Sequence, residues 1–100
     1  MDEWPFDRNP NVAAITTRQV IEDGLPILNV VHYEDDKSWA FTCGSTSEAK
    51  DGRIISMGEA LKIDPALASI ADLLPGWFAE RKAVGDPWVR QLGTWRVSVR

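Results

Sequence analysis

His32 and Cys43 are the residues whose chemistry could support nucleophilic catalysis, since the chain contains one histidine and one cysteine. A thiol becomes an efficient nucleophile when an imidazole lies within hydrogen-bond distance and a third group orients the ring. The hairpin register preferred below places these two side chains on opposite faces of the sheet, so we expect no enzymatic activity. A small enzyme or ligand-binding domain that uses His32 and Cys43 is the alternative hypothesis.

Metal and cofactor sites lack a recognisable set of ligands in this sequence. A zinc site needs three or four Cys, His or carboxylate ligands, and one histidine with one cysteine are too few. Glu34, Asp35 and Asp36 are consecutive carboxylates, but they lack the alternating oxygen ligands and the glycine of a calcium loop. No glycine-rich phosphate loop, nucleophile elbow or dinucleotide-binding motif occurs. We therefore expect neither a metal nor a cofactor.

The distribution of charge and of tryptophan favours a protein partner over a nucleic acid. The net charge is −4: residues 1–50 carry nine acidic and four basic residues, or −5, and residues 51–100 carry six and seven, or +1. Because phosphate neutralisation by Lys and Arg dominates nucleic-acid affinity, an acidic chain is a poor nucleic-acid binder. Five tryptophans are present, and tryptophan is enriched at interface hot spots. We predict that a basic protein contacts Glu34, Asp35, Asp36 and Trp39, with Trp77 or Trp88 as an aromatic anchor.

The length of 100 residues suits a single domain. Pro5 and Pro10 interrupt regular pairing, so we expect residues 1–11 to form an irregular arm and residues 12–100 to form one domain. A single cysteine excludes an intramolecular disulfide. The acidic first residues lack a signal-peptide core, and no apolar run is long enough for a membrane helix. A cytoplasmic location without membrane association is expected.

Apolar periodicity and turn residues predict the α+β class. We predict strands over residues 12–15, 27–33, 39–43, 53–57, 77–84 and 94–100, and short helices over 18–23, 58–63 and 65–74. The segment 77–84 also has helix-forming residues, but the preceding Pro-Gly favours a strand. The expected fold is a small antiparallel sheet of about four to five strands, with two or three short helices packed on one face. Homodimerisation through the alternating last strand is a third hypothesis.

The ends of the predicted helices are marked by capping and turn residues. We expect Gly24 to end the first helix. Ser56 and Glu59 have the spacing of a capping box for the second helix, and Asp64-Pro65 begins the third. The buried side of the third helix should follow α-helical spacing, with Leu67, Ile70, Ala71 and Leu74.

The register of the predicted hairpin over residues 27–43 decides which side chains share a face of the sheet. If Tyr33 lies opposite Trp39, the face of Trp39 carries Tyr33 and lacks His32. If Glu34 lies opposite Trp39 instead, His32 joins Trp39, because a slip of one residue exchanges the two faces. We predict the first register, since it gathers the large apolar side chains together.

Three segments resemble a bacterial domain family of unknown function that is described as immunity-protein-like in polymorphic toxin systems. They are Val20-Ile-Glu-Asp-Gly-Leu-Pro-Ile27, Asp36-Lys-Ser-Trp-Ala-Phe-Thr-Cys-Gly44 and Ile63-Asp-Pro-Ala-Leu67, and the resemblance covers residues 12–82. The middle motif of the family reads Ser-Gly-Trp-x-Phe-x-x-Gly, and Ser38 stands here at its glycine. The resemblance implies a compact α+β domain with a protein-binding role, for which a toxin is the expected partner, and it supplies no catalytic residues.

Overall fold

The computed structural model describes residues 4–44 and 49–93, and within them a single mixed sheet is the main element. Its strands are β1 Ala13–Thr17, β2 Asn29–His32, β3 Trp39–Thr42, β4 Gly52–Ser56, β5 Trp77–Glu80 and β6 Val89–Leu92. The order across the sheet is β4-β1-β3-β2-β5-β6. The α+β prediction is confirmed, but the sheet is larger than predicted. The sheet is also mixed, because β1 pairs with β3 in parallel.

Two α-helices and two 3₁₀ helices connect the strands in the described residues. The α-helices are α1 Arg18–Ile21 and α2 Met57–Ile63, and the 3₁₀ helices span Ala49–Asp51 and Pro65–Ile70. Ser56 and Glu59 form the predicted capping box, in which each side chain accepts a hydrogen bond from the backbone N–H of the other residue. Such a cap stabilises a helix start by about 1 kcal/mol.

The first helix is shorter than the predicted segment 18–23. Thr17 makes no side-chain capping hydrogen bond, and α1 ends at Ile21 after a single turn. Gly24 then reverses the chain at a φ of 72°, which glycine adopts without strain. A helix of one turn depends on packing, which Val20 supplies as its buried residue.

The predicted helix after Asp64 is a 3₁₀ helix, and this changes which leucine is buried. Leu67 and Ile70 are buried as predicted, but Leu73 is buried in place of Leu74. A 3₁₀ helix has three residues per turn, so positions three apart share a face, whereas the α-helical spacing had pointed to Leu74. Leu74 instead lies on the surface, 61% exposed.

Nearly all the apolar packing lies on one face of the sheet. The main cluster takes buried residues from both α-helices, the 3₁₀ helix Pro65–Ile70 and strands β1 to β5. The predicted packing of the helices on one face is therefore confirmed. A second, smaller cluster on the other face contains Val31, Tyr33, Ala40 and Phe78. The helix-covered face thus holds most of the hydrophobic stabilisation, at about 2 kcal/mol for each large buried side chain.

The predicted hairpin is present, but its predicted register is wrong. His32 lies opposite Trp39, and the backbone N–H of Tyr33 donates to the carbonyl of Ser38 at 2.9 Å. Four residues, 34–37, therefore lie between Tyr33 and Ser38, and Lys37, the last of them, has a positive φ of 61°. As a result His32 shares the face of Trp39, while Tyr33 points to the other face. The large aromatic residues are divided between the two faces.

Strand β5 confirms the prediction for the ambiguous segment, although it covers only the first half of residues 77–84. Strand β6 was not predicted. Its four residues, Val-Arg-Gln-Leu, are all exposed. Apolar and polar side chains do not alternate along them, so the sequence has no strand pattern there. The predicted last strand, 94–100, lies outside the described residues.

Candidate functional site

The topology brings three acidic or aromatic segments to one end of the sheet, called here the arm end. The loop 34–38 joins β2 to β3 there, and β5 starts beside the last residue of β2. Because β1 runs parallel to β3, the segment that precedes β1 lies at the same end. That segment, residues 4–12, is called the arm. The opposite end of the sheet, with α1 and residues 81–88, is the far end.

The loop 34–38 presents the predicted carboxylates Glu34, Asp35 and Asp36, all of them exposed. The Nζ of Lys37 donates to the backbone carbonyl of Glu34 at 2.7 Å. The Asp36 carboxylate accepts from the backbone N–H of Ser38 at 3.1 Å and from its hydroxyl at 2.7 Å. These internal hydrogen bonds hold the loop in one conformation with its negative charge facing solvent.

Leu74 and Trp77 belong to a turn, residues 74–77, whose Gly76 lies against the start of this loop. The N–H of Gly76 donates to the His32 carbonyl, and a Cβ at Gly76 would lie 3.6 Å from the Glu34 carboxylate. The φ of Gly76 is also positive, at 88°. Trp77 is half-buried and follows directly. The sequence missed Leu74, because α-helical spacing had assigned it to the core.

Together these residues form one surface, called here the acidic end surface. Its members are Asp7, Glu34, Asp35, Asp36, Leu74 and Trp77. A shallow cleft of about 380 Å³ opens on it between Leu74, Trp77 and Arg90. The surface combines exposed carboxylates with an aromatic wall, which suits a cationic side chain that also has an apolar stem.

Trp39, another predicted contact residue, is fully buried with 0% of its surface exposed. Its ring stacks on His32 at 4.0 Å between centroids, and Phe6 of the arm meets it edge-on at 5.0 Å. The indole N–H donates to Asp7 at 3.1 Å. Trp39 therefore supports the acidic end surface from below, and it offers no exposed ring atoms to a partner in this structure.

Backbone hydrogen bonds from Met57 and Gly58 to Val12 and Pro10 hold the end of the arm, and three of its side chains attach the rest. Phe6 is buried in the main cluster, Asp7 accepts from Trp39, and the Arg8 guanidinium donates to the Asp36 carbonyl at 2.6 Å. The indole N–H of Trp4 also donates to the Arg8 carbonyl. The sequence indicated an irregular arm but gave no periodic pattern from which these contacts could be predicted.

His32 and Cys43 share one face of the sheet, contrary to the predicted register, but they do not meet. His32 lies opposite Trp39, and Cys43 comes four residues after Trp39 in the same extended segment. At the rise of an extended strand, this separates the two side chains by about 13 Å. Both are buried. That distance is far beyond the hydrogen-bond contact that a thiol–imidazole pair requires.

Trp88, the second predicted anchor, belongs to the far end. One face of its ring is occupied by the Arg81 guanidinium, 4.3 Å from the ring centroid. Arg81 is buried, with 1% of its side chain exposed, and donates to the Ile27 carbonyl at 2.9 Å and to the Asp64 carboxylate. Trp88 is thus engaged within the fold and lies at the opposite end from Glu34.

The far end also carries an apolar groove of about 230 Å³, lined in part by Leu25, Ile63 and Val84. Its exposed side chains are neutral, so its surface chemistry differs from that of the arm end. A cleft of about 540 Å³ lies nearby and is bordered by Arg81, Lys82 and Asp86 among others.

The pKa of Asp72, a carboxylate beside the cleft at Leu74 and Trp77, is changed by its surroundings. The Arg90 guanidinium donates to Asp72 at 2.8 Å. This hydrogen bond, and the positive charge behind it, lower the pKa of Asp72. Asp72 therefore keeps its negative charge into more acidic solution than an isolated aspartate does.

In residues 4–44 and 49–93, no cluster of three or more His, Cys, Asp or Glu side chains could bind a metal ion. None of the helices described there has the length and apolar composition needed to cross a bilayer.

Comparison of the chain with protein-family models, with curated proteins and with solved structures gives no match.

Proposed function

We propose that this chain is a non-enzymatic, cytoplasmic protein-binding module that takes a basic partner at the acidic end surface. The observation that carries the proposal is that the acidic loop meets the turn 74–77, which carries Leu74 and Trp77, at Glu34 and Gly76. Charged residues at an interface steer the encounter and select the partner, while aromatic and aliphatic anchors provide most of the affinity. Both kinds of residue are present at this one end of the sheet.

The conformation of the arm end supports this proposal. The loop 34–38 is held by its own hydrogen bonds and by Arg8, so binding would order few side chains. A surface that is already ordered binds at a lower entropic cost. The separation of His32 from Cys43 removes the residue pair on which the enzyme hypothesis depended. Homodimerisation through residues 94–100 stays a prediction.

The experiment compares two charge-matched triple variants as baits in extracts of the native host. The test variant carries Glu34→Gln, Asp35→Asn and Asp36→Asn. We expect a partner retained by the wild-type chain to bind the test variant about tenfold more weakly, since three rim charges contribute about 0.5 kcal/mol each. Binding of that partner should also weaken as salt is raised, because exposed charges are screened.

The control variant carries Asp23→Asn, Glu80→Gln and Asp86→Asn, which remove the same charge from the far end. It should retain the partner at the wild-type level. A single change, Leu74→Ser, should weaken binding without changing thermal stability, because Leu74 is exposed. Equal recovery of the same proteins by the wild-type chain and both triple variants would refute the proposal.

An immunity role is the specific form of this proposal that the family resemblance favours. If a gene beside the coding sequence encodes a toxin, co-expression of the wild-type chain should restore growth of cells that make the toxin. The loop variant should restore growth less well, and the far-end variant should match the wild type. Loss of protection in the far-end variant alone would move the contact to the far end.

A further inference from the structure

The imidazole of His32 is buried between an acceptor and a carboxylate. It is 2% exposed, and its Nδ1 lies 2.7 Å from the carbonyl oxygen of Leu73. A carbonyl oxygen only accepts hydrogen bonds, so Nδ1 must carry a proton. The ring is also fixed by stacking on Trp39, with 15° between the two planes. The tautomer and the orientation of His32 are therefore determined by its surroundings.

The other ring nitrogen, Nε2, is buried and has no hydrogen-bond partner in the part of the chain that the structure describes. The Asp7 carboxylate lies nearest to it, with Oδ2 at 3.6 Å. The second oxygen of Asp7 accepts from the Trp39 indole at 3.1 Å, so the carboxylate is held in front of Nε2. In a neutral imidazole whose proton is on Nδ1, Nε2 would present a lone pair to this carboxylate. Two acceptors would then face each other.

We propose that a proton on Nε2 of His32 fastens Asp7, and with it the middle of the arm, to the sheet. In the charged imidazole Nε2–H donates to Asp7, and Nδ1–H continues to donate to Leu73. In the neutral imidazole the first of these hydrogen bonds is lost and repulsion replaces it. The contact between His32 and Asp7 is thus a proton-dependent attachment of the arm.

The elements packed around His32 leave Asp7 as its electrostatic partner. β3 contributes the uncharged ring of Trp39, β5 places Trp77 opposite His32, and the segment before β5 contributes the Leu73 carbonyl. Among the described residues, His32 forms its ion pair with Asp7. The nearby Arg8 guanidinium is directed at the carbonyl of Asp36. Glu34 lies against Gly76, at the edge of this region.

Loss of the proton should loosen the arm locally rather than release it. Phe6 remains buried against Trp39 and Phe41 whatever the state of His32. Asp7 then keeps only its hydrogen bond from Trp39, and the loosening extends to its neighbour Arg8, which connects the arm to the acidic loop. A consequence for partner binding rests on the proposed function, whereas the attachment itself can be measured in the isolated chain.

The experiment is an NMR titration of the chain without a partner, and it is simplified because His32 is the only histidine. Imidazole nitrogen shifts report which ring nitrogens carry protons between about pH 5 and about pH 8, where histidines commonly titrate. We expect Nδ1 to stay protonated throughout and Nε2 to gain its proton on the acidic side. The amides of residues 6–8 should then exchange about threefold to tenfold more slowly, after correction for intrinsic rates, as for a charge-assisted hydrogen bond at a half-exposed site.

The variant Asp7→Asn provides the decisive comparison. An asparagine can accept from Trp39 through its oxygen and donate through its nitrogen to the lone pair of a neutral His32. The pH dependence of arm exchange should therefore invert, with the slowest exchange on the alkaline side. The control Asp35→Asn removes the same charge from the exposed loop and should behave as the wild type does.

Two results would overturn the inference. One is an Nε2 that stays unprotonated until acid unfolds the chain. The other is an identical pH dependence of arm exchange in the wild type and in Asp7→Asn. Neither result depends on a partner, so a failure here is distinguishable from a failure of the proposed protein-binding function.

Discussion

A basic side chain over an indole ring connects distant segments at each end of the sheet. At the far end Arg81 lies on Trp88, donates to the Ile27 carbonyl and pairs with Asp64. Through these contacts it links the ends of β5 and α2 to the chain before β2. Each hydrogen bond donated by the Arg81 side chain is charge-assisted, and charge-assisted bonds are the stronger class.

At the arm end His32 has the same kinds of neighbour. It stacks on Trp39, contacts the Leu73 carbonyl and faces the Asp7 carboxylate. The difference lies in the basic group, because a guanidinium stays charged in proteins whereas an imidazole has a charged and a neutral form. The contacts of Arg81 at the far end therefore do not depend on protonation, while the contact between His32 and Asp7 at the arm end depends on a proton on Nε2. The surface proposed to bind a partner lies at the end that can change.

The largest expected effect is at the far end. Arg81→Leu leaves the Asp64 carboxylate, whose side chain is 15% exposed, without its counter-charge. We expect the free energy of unfolding to fall by about 3–5 kcal/mol, as when one partner of a buried ion pair is removed. Denaturant unfolding of Arg81→Leu and of the exposed control Lys82→Ala measures this. Equal stability of the two variants would show that the far end does not depend on its guanidinium.

A smaller effect is expected from the arm. Phe6→Ala removes a buried ring that packs edge-on against Trp39. We expect a loss of about 3 kcal/mol in the free energy of unfolding, with little dependence on pH. Val84→Ala, at an exposed far-end position, should change stability by less than about 0.5 kcal/mol. If Phe6→Ala is as stable as Val84→Ala, the arm is not anchored through its ring.

The smallest expected effect concerns Asp72, which is exposed and paired with Arg90. Arg90→Gln should raise the pKa of Asp72 back toward that of an ordinary aspartate, since the lowering comes first from this hydrogen bond. Because the pKa of Asp72 is lower in the folded chain, the pair stabilises the fold above the ordinary aspartate pKa. That contribution is lost as the pH falls through the lowered value. Carboxyl NMR titration measures the change, and Lys82→Gln should leave Asp72 unaffected.

Elements that depend on neighbouring residues were predicted well from the sequence. The capping box of Ser56 and Glu59, the reversal at Gly24 and the start of a helix at Asp64-Pro65 are all present. In each case the residues that form the hydrogen bond or the turn are within a few positions of one another. The exposed carboxylates of the acidic loop follow from the same local logic, since a polar turn between two strands faces water.

Features that depend on pairing between distant segments were predicted poorly. The hairpin register was wrong because two registers differ by one residue, and the contacts that favour the observed one come from elsewhere. Trp39 is held against His32 partly by Asp7, which lies 32 positions before it. Strand β6 has no alternation of its own and exists because β5 offers it backbone partners. Leu74 reached the surface because the helix before it has three residues per turn.

The amino-acid sequence alone determined that this chain is α+β, that its helices start at Ser56 and Asp64, and that an acidic turn separates two apolar strands. These outcomes follow from propensities and hydrogen bonds that act over a few residues. The tertiary structure decided that Trp39 is buried, that Trp77 joins the acidic loop while Trp88 does not, and that His32 faces Asp7 rather than Cys43. Strand order and register place those side chains, and both are set by packing between segments far apart in the chain.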